Sequence, residues 1–186
     1  MPARTVTALL LTAIALGGCA AGADTPESQP PAGRTRATVT HISDGDTITL
    51  SGLGKTRLIG VDTPEVYGQA ECYGAEASAF TKRALPLGTH VTYAIGTEAH
   101  DRYGRSLAYV WLADGRMFNE LLADRGYAVQ LTIPPNVEYA DRFRAAVRKA
   151  READRGLWSP STCGGDADEP VSQGAAPAPS RSGGTE

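Results

Sequence analysis

Several short segments of the chain alternate between hydrophobic and polar positions, which is the pattern of half-buried β-strands. Residues 38–42 and 47–50 alternate in this way on either side of a polar turn at 43–46. A second turn at 51–54 leads the chain back into an apolar segment at 55–61. The pattern therefore predicts a three-stranded meander at the start of the domain.

Two further strands are predicted at residues 90–95 and 106–112. Helical spacing of apolar residues predicts helices at residues 75–85, 117–124 and 138–154. Five short strands, a helix after the third strand and helices at the end predict an α+β fold. Its expected form is a small five-stranded β-barrel of the oligonucleotide-binding (OB) type with about three α-helices.

The segment that begins at Arg57 is predicted to be a buried strand that ends in a turn, because Pro64 cannot donate a hydrogen bond to a sheet. Two carboxylates, Asp62 and Glu65, lie at its exit. Arg57 and Asp62 are five residues apart, so a regular strand would place their side chains on opposite faces. Gly60 permits a bend that would bring both to one side. The segment therefore predicts a cation site or an acid–base site.

Length and charge limit the classes of protein to consider. The 186 residues suffice for one ordinary domain with tails, and the composition is neither that of a membrane protein nor that of a wholly disordered chain. The formal net charge is −3, but residues 36–160 contain 15 basic and 15 acidic residues. This segment is therefore predicted to be a neutral domain, and any site for an anion must be local.

The N-terminus predicts export, because a charged start is followed by an apolar run at residues 8–16 that is too short to span a bilayer. Leu16-Gly17-Gly18-Cys19 resembles the lipobox of bacterial lipoproteins. This implies a signal peptide over 1–18, lipidation of Cys19 and an outward-facing protein, anchored in the cell membrane or shed to the medium. An ordinary signal peptide that contains a cysteine is the alternative. Residues 19–35 predict a flexible tether.

Export would place the other two cysteines, Cys72 and Cys163, in an oxidising compartment, and no Cys or His lies at zinc-ligand spacing around them. We predict a disulfide between them, with two unpaired thiols as the alternative. The bridge would close a loop of about 90 residues and stabilise the fold by roughly 4–5 kcal/mol in the chain-entropy model. Residues 161–186 are rich in Gly, Ala, Pro, Ser and acidic residues, which predicts a disordered C-terminal tail.

Five motifs carry a resemblance to a known family. They are Asp44-Gly45-Asp46-Thr47, residues 57–65, residues 73–82, Asp101-Arg102-Tyr103-Gly104-Arg105 and Leu157-Trp158-Ser159. With these motifs in this order, residues 36–159 resemble the thermonuclease family, the secreted staphylococcal-nuclease-like enzymes. The resemblance implies an OB-type barrel and a monomeric, calcium-dependent phosphodiesterase. Such an enzyme would hydrolyse DNA and RNA to leave 3′-phosphate and 5′-hydroxyl ends.

The resemblance also implies a role for individual residues. Calcium would be bound by Asp46, Asp62 and the Thr63 carbonyl, the phosphate by Arg57 and Arg105, and further parts of the substrate by Arg102 and Tyr103, with Glu65 as the general base. The residue types suit this chemistry, because calcium prefers hard oxygen ligands and guanidinium groups bind phosphate oxygens in bidentate fashion. A carboxylate near the ion can orient or deprotonate the attacking water.

The sequence departs from the family pattern at two places. Leu131 and Ile133 stand near the positions where the family prototype has tyrosines, and the loop at 66–70 is shorter and lacks lysines. Stacking on an aromatic ring contributes ~1–3 kcal/mol per base, so weaker or altered substrate affinity is expected. Together with the neutral domain, these departures predict affinity for nucleic acid that depends only weakly on salt.

Other interpretations remain open from the sequence. A non-catalytic nucleic-acid-binding OB module would be expected to lack one or more of the site residues, and an adhesin would not explain the set of acids and arginines. Asp44 either supports the metal ligands or only shapes a turn. Gly54-Lys55-Thr56 resembles the end of a phosphate loop, but Thr49 stands where such a loop needs glycine, so a hairpin turn is predicted instead.

Overall fold

The structure, a computed structural model, describes residues 32–166 of the chain. The predicted signal peptide, Cys19 and residues 19–31 of the predicted tether lie outside the described residues, as do residues 167–186 of the predicted tail. None of the helices within residues 32–166 is long and apolar enough to cross a membrane.

The described part of the chain forms one succession of strands and helices. In chain order they are β1 (Thr35–Ile42), β2 (Thr47–Leu50), β3 (Gly54–Leu58), β4 (Gly60–Asp62), α1 (Gly74–Ala84), β5 (His90–His100), β6 (Ser106–Trp111), α2 (Phe118–Asp124), β7 (Val129–Leu131), α3 (Ala140–Glu152) and the short 3₁₀-helix Gly156–Trp158.

Five of the strands close into a barrel in the order β1-β2-β3-β6-β5. Neighbours are antiparallel except β3 and β6, which run parallel. The barrel is filled by apolar side chains such as Val39, Ile48, Leu50, Leu58 and Val110, each at most 1 % exposed. The predicted α+β fold, with its OB-type five-stranded barrel and three α-helices, is thereby confirmed.

The third predicted strand, over residues 55–61, is divided into two strands. The strand breaks at Ile59, where Gly60 takes a φ of +85°, a conformation that side chains with a Cβ rarely adopt. Beyond the break, β4 leaves the barrel and pairs with β7, a strand that the sequence pattern did not predict. Asn119 of α2 stabilises the break, since its side-chain amide donates to the Ile59 carbonyl at 2.9 Å and to the Ala108 carbonyl at 3.2 Å.

Two other predicted boundaries also need correction. The strand predicted over 90–95 continues to His100, with a register irregularity between Ile95 and His100, so the following loop begins only at Asp101. The helix predicted over 138–154 spans Ala140–Glu152. It cannot continue through Asp154, whose φ of +48° is incompatible with a right-handed helix.

The predicted disulfide between Cys72 and Cys163 is present, with its two Cα atoms 5.9 Å apart. It joins the segment before α1 to the C-terminal end of the described chain, and Cys163 is buried. Residues 161–166, which were assigned to the predicted tail, form turns, and the Gly165 amide donates to the Leu157 carbonyl at 2.8 Å. The fold therefore extends at least to residue 166.

Candidate active site

Two aspartates and an arginine meet at one end of the barrel. Asp46 comes from the turn between β1 and β2, Arg57 from β3 and Asp62 from the end of β4. Arg57 forms ion pairs with both carboxylates, and its Nη2 also donates to the Val61 carbonyl at 3.3 Å. The bend at Gly60 therefore brings Arg57 and Asp62 to the same side of the chain, as its position in the sequence predicted.

Asp46 is the most deeply placed of these carboxylates, with only 1 % of the residue exposed. Its Oδ2 accepts hydrogen bonds from the amide of Thr63 at 2.7 Å and from the Thr63 hydroxyl at 3.0 Å, and its Oδ1 accepts one from the Thr47 hydroxyl at 3.2 Å. A buried carboxylate is tolerated when it is paired and hydrogen-bonded, and Arg57 supplies the opposite charge. These contacts fix the orientation of Asp46.

Asp44 has the turn role that the sequence left open. Its Oδ1 accepts hydrogen bonds from the amides of Asp46 at 3.2 Å and Thr47 at 2.7 Å, which is the Asx-turn arrangement. The same turn is held to α1, because the Thr81 hydroxyl donates to the Gly45 carbonyl at 2.6 Å. The turn that carries Asp46 is therefore fixed from both sides.

Glu65 lies at the exit of the strand, where its side chain is only partly covered. Its amide donates to Oε2 of Glu71 at 2.8 Å, and its carbonyl accepts from the Glu71 amide at 2.9 Å. The pKa of Glu65 is raised mainly by partial burial and further by the nearby carboxylates of Asp44, Glu71 and Asp62. The positive charge of Arg57 acts in the opposite direction and lowers it. A raised pKa makes a carboxylate a stronger base, which suits a proton acceptor.

Arg105 stands at the mouth of β6 and is held by the loop before it. Its Nε pairs with Oδ2 of Asp101 at 2.6 Å, while Oδ1 of Asp101 accepts from the amides of Arg105 and Tyr103, both at 2.9 Å. Burial alone would raise the pKa of Asp101, but these hydrogen bonds outweigh it and lower the pKa. Nη1 of Arg105 reaches the Thr47 hydroxyl at 3.4 Å, and that hydroxyl donates to Asp46. Thr47 thus connects Arg105 to Asp46.

Tyr103 and Arg102 extend from the same loop. The Tyr103 ring is 68 % exposed, its hydroxyl accepts from Arg102 Nη2 at 2.6 Å, and the Arg102 guanidinium lies 4.7 Å from its centroid. The Arg105 guanidinium lies 5.5 Å from the same centroid. Cations at these distances interact with the ring face. An exposed ring bordered by two arginines suits contact with a nucleotide.

The arginines open onto a cleft of about 450 Å³. Its lining includes the basic and aromatic side chains Arg57, Arg102, Tyr103 and Arg105 and also Leu131, Ile133 and Asn136. Pairing of β7 with β4 places Leu131 opposite Gly60. The two aliphatic residues that the sequence analysis singled out thus face the same cleft as the arginines. A groove of about 590 Å³ lies elsewhere, along α2 and α3, and contains none of these residues.

The donor chemistry of the site fits a hard divalent cation. Asp46, Asp62 and Glu65 supply carboxylate oxygens, and Thr63 lies beside Asp46, to which its amide and hydroxyl donate hydrogen bonds. Within residues 32–166, no group of three or more His, Cys, Asp or Glu side chains already converges as a metal site. Here the two aspartates share the Arg57 guanidinium instead.

Sequence reasoning identified Arg57, Asp62 and Glu65 as parts of one site. It assigned no role to three residues that contact members of the site and help to position them. Thr47 and Asp101 lie inside the quoted motifs, so their positions were a usable signal, although their partners were not evident. Glu71 lies in a polar loop, where nothing in the sequence pointed to its contact with Glu65.

Comparison with known proteins agrees with this geometry. A family model described as "Staphylococcal nuclease homologue" matches residues 55–160. The chain is 42 % identical to the thermonuclease of Staphylococcus hyicus over 127 residues, which is 65 % of this chain and 74 % of that protein. It is 40 % identical to the thermonuclease of Staphylococcus intermedius over 126 residues, 64 % of this chain and 74 % of that protein.

A third relative is the endonuclease YhcR of Bacillus subtilis (strain 168), 35 % identical over 146 residues that make up 70 % of this chain but only 12 % of that longer protein. The matched region contains the barrel strand with Arg57, the turn with Glu65 and the loop with Arg105. The five-stranded barrel, together with a family match and identity of this extent, places the chain in the thermonuclease family of hydrolytic nucleases.

Proposed function

We propose that this chain is a calcium-dependent phosphodiesterase that hydrolyses DNA and RNA by attack of a metal-associated water on phosphorus. The products would carry 3′-phosphate and 5′-hydroxyl ends. One observation carries the proposal: Arg57 contacts both Asp46 and Asp62 and lines the same cleft as Arg105. A phosphate held by the two arginines would therefore lie beside the two aspartates.

The aspartates and the Thr63 carbonyl are the oxygen donors that would hold the ion. Calcium, when bound, would neutralise charge on the phosphate and favour ionisation of a bound water. Asp46 already has a fixed orientation through Thr63 and Thr47. Calcium binding would require Arg57 to release at least part of its contact with the aspartates, which would free its guanidinium for the phosphate.

The two arginines would stabilise the transition state. Arg57 and Arg105 can each donate two parallel hydrogen bonds to phosphate oxygens. Interactions that strengthen as phosphorus becomes five-coordinate accelerate the reaction, whereas uniform binding of the substrate would not. Asp101 orients Arg105 from the side chain and from the backbone, so the guanidinium is positioned before the substrate arrives.

Glu65 would accept a proton from the attacking water or hold that water in line. Its raised pKa and its place two residues after Thr63 support this role. Tyr103 and Arg102 would contact a neighbouring nucleotide at the rim of the cleft. A purely binding OB protein has no need for this complete set of acids and arginines, so we favour the enzyme over a non-catalytic nucleic-acid-binding lipoprotein.

The location of the protein is also a proposal. Cys19, as the lipidated residue of a cleaved signal sequence, would anchor a monomeric domain to the outer face of the cell membrane. Cys19→Ser should move the protein from the membrane fraction to a soluble fraction without changing its specific activity. Retention in the membrane fraction would contradict the lipid anchor and leave the enzymatic proposal untouched.

The nuclease itself is tested by the release of acid-soluble nucleotides from DNA and from RNA. We expect release with calcium, abolition by a chelator and recovery when calcium is added back. Product ends should accept a 5′-phosphate from a kinase without prior phosphatase treatment, because they carry free 5′-hydroxyl groups. Activity that a chelator does not affect, or products with 5′-phosphates, would refute the mechanism.

A further inference from the structure

Glu65 is held by one specific neighbour, Glu71. The Glu65 amide donates to Oε2 of Glu71 at 2.8 Å, and the Glu71 amide donates to the Glu65 carbonyl at 2.9 Å. Both polar groups of the Glu65 backbone are therefore bound to one residue, which lies six positions further along a mostly exposed loop. One of the two bonds depends on the Glu71 side chain, and the other does not.

Glu71 is in turn the first residue of a segment that is fixed at each following position. Cys72 is bridged to Cys163, and the Tyr73 ring stacks on the Tyr127 ring with centroids 5.5 Å apart. Gly74, the first residue of α1, lies so close to the Glu65 carbonyl that a Cβ would overlap it. The segment 71–74 is thus tied to the C-terminal end of the fold and pressed against the backbone of Glu65.

We propose that Glu71 is a positioning residue for Glu65 and that the Cys72–Cys163 disulfide anchors it. This inference rests on the proposed function, in which Glu65 handles the attacking water. Glu65 follows Pro64 and precedes an exposed loop, so without these contacts its backbone would be free to sample other conformations. Misplacement of a catalytic group by about 1 Å can lower a rate by about 100-fold.

The arrangement separates the positioning role from a general stabilising role. Glu71 reaches Glu65 through a hydrogen-bond acceptor, which glutamine retains and alanine lacks. A residue that only stabilises the fold would change the melting temperature and leave the kinetic constants of the folded enzyme alone. A positioning residue would lower kcat and leave KM nearly unchanged, because the arginines that bind the phosphate do not touch it.

The test compares Glu71→Ala, Glu71→Gln and the control Glu76→Ala, in which an exposed carboxylate is removed five residues away. We expect kcat to fall about 10- to 100-fold in Glu71→Ala with KM within about twofold of wild type. Glu71→Gln should recover most of this loss, and Glu76→Ala should show none. An undiminished kcat in Glu71→Ala, or a loss in Glu71→Gln as large as in Glu71→Ala, would overturn the proposal.

A second measurement does not depend on activity. Hydrogen exchange of the Glu65 amide, followed by NMR without calcium or substrate, should be faster in Glu71→Ala than in wild type and unchanged in Glu71→Gln. Unchanged exchange in Glu71→Ala would overturn the positioning role. If exchange changes as expected but wild-type protein cleaves no nucleic acid, the proposed function fails and the contact remains.

The anchoring by the disulfide is tested with the double variant Cys72→Ser, Cys163→Ser, assayed well below its melting temperature. We expect a lower kcat, an unchanged KM and faster exchange of the Glu65 amide, as in Glu71→Ala. Reduction of the wild-type protein by a phosphine should have the same effect and should not alter the double variant. A double variant that keeps wild-type kcat and wild-type exchange at Glu65 would show that the bridge does not anchor Glu71.

Discussion

The guanidinium of Arg57 is ion-paired with the carboxylate of Asp46, of which only 1 % is exposed. This pair contributes to the stability of the fold, and its two residues also belong to the candidate active site. Arg57 supplies the opposite charge that a buried carboxylate such as Asp46 requires, and the same two residues would bind the cation and the phosphate. Part of the candidate active site is therefore also part of the folded core.

Removing the arginine should accordingly destabilise the protein. In Arg57→Ala the buried carboxylate keeps only its hydrogen bonds to Thr63 and Thr47, and the free energy of unfolding should fall by about 3–5 kcal/mol. Urea denaturation at neutral pH without calcium measures this. Arg116→Ala is the control, because Arg116 pairs with Asp114 on the surface, where solvent screens the pair and its loss should change stability little. Equal losses in the two variants would contradict the buried-pair assignment.

Arg105 should be required for turnover and not for folding. Arg105→Lys keeps the charge but cannot keep the planar contacts to Asp101 and donate two parallel bonds to phosphate, so kcat should fall about 100- to 1,000-fold. Circular dichroism and thermal unfolding should show a folded protein. Arg125→Lys, at an exposed position after α2, is the matched control and should retain wild-type kcat. A near-normal rate in Arg105→Lys would remove Arg105 from the mechanism.

Glu65 should show a conflict between activity and stability. The pKa of Glu65 in the folded state is raised above the ordinary value of 4.5. Glu65 therefore stabilises the fold when the pH is below 4.5 and it is protonated, and this stabilisation is lost as the pH rises through the raised pKa. At pH 7 Glu65→Gln should therefore be at least as stable as wild type without calcium while losing most turnover. Urea denaturation at pH 7 and at pH 4, together with a nuclease assay, measures both effects. Clear destabilisation of Glu65→Gln at pH 7 would contradict the direction of the shift.

Sequence reasoning succeeded where the site is local in the chain. Arg57, Asp62 and Glu65 lie within nine residues, and Gly60 between them is the residue that can turn the backbone. It failed for elements that are defined by pairing with residues far away in the chain. The strand β7 has three residues, too few for a recognisable pattern, and is defined by its bonds to β4.

The contacts of Glu71 and Asp101 were likewise not predictable from pattern, since a carboxylate in a polar loop has no periodicity to indicate its partner. Glu71 contacts Glu65 in the fold, where a disulfide and a stacked tyrosine hold the residues that follow it. The charged residues of the site could thus be recognised from the sequence, whereas the residues that position them could be identified only from the three-dimensional fold.

The bend at Gly60 should tolerate substitution poorly. In Gly60→Ala the methyl group would overlap the Phe143 ring, and a residue with a Cβ would also be forced into a left-handed conformation. The second effect costs about 1–2 kcal/mol and the overlap about 1–3 kcal/mol more. Gly52→Ala has a similar φ of +74° with nothing near its Cβ, so it should show the first effect alone. Urea denaturation of both variants isolates the packing effect, and equal losses would contradict it.

The aliphatic wall of the cleft should limit substrate affinity. Ile133 is 57 % exposed and lines the same cleft as the arginines, where it offers no ring for a base to stack on. Ile133→Tyr should strengthen binding by ~1–3 kcal/mol, seen as a KM for single-stranded DNA that falls about 5- to 150-fold. Val137→Tyr, at a nearby exposed position outside the cleft lining, should leave KM unchanged.

Because tyrosine adds no charge, the dependence of KM on salt should be as shallow in Ile133→Tyr as in wild type. Stacking would thus raise affinity without adding phosphate contacts. Measuring the KM of both proteins at low and at physiological salt therefore separates the contribution of stacking from that of phosphate contacts. An unchanged KM in Ile133→Tyr would mean that bases do not reach this wall. A steep salt dependence in wild type would mean that phosphate contacts outside the cleft dominate binding.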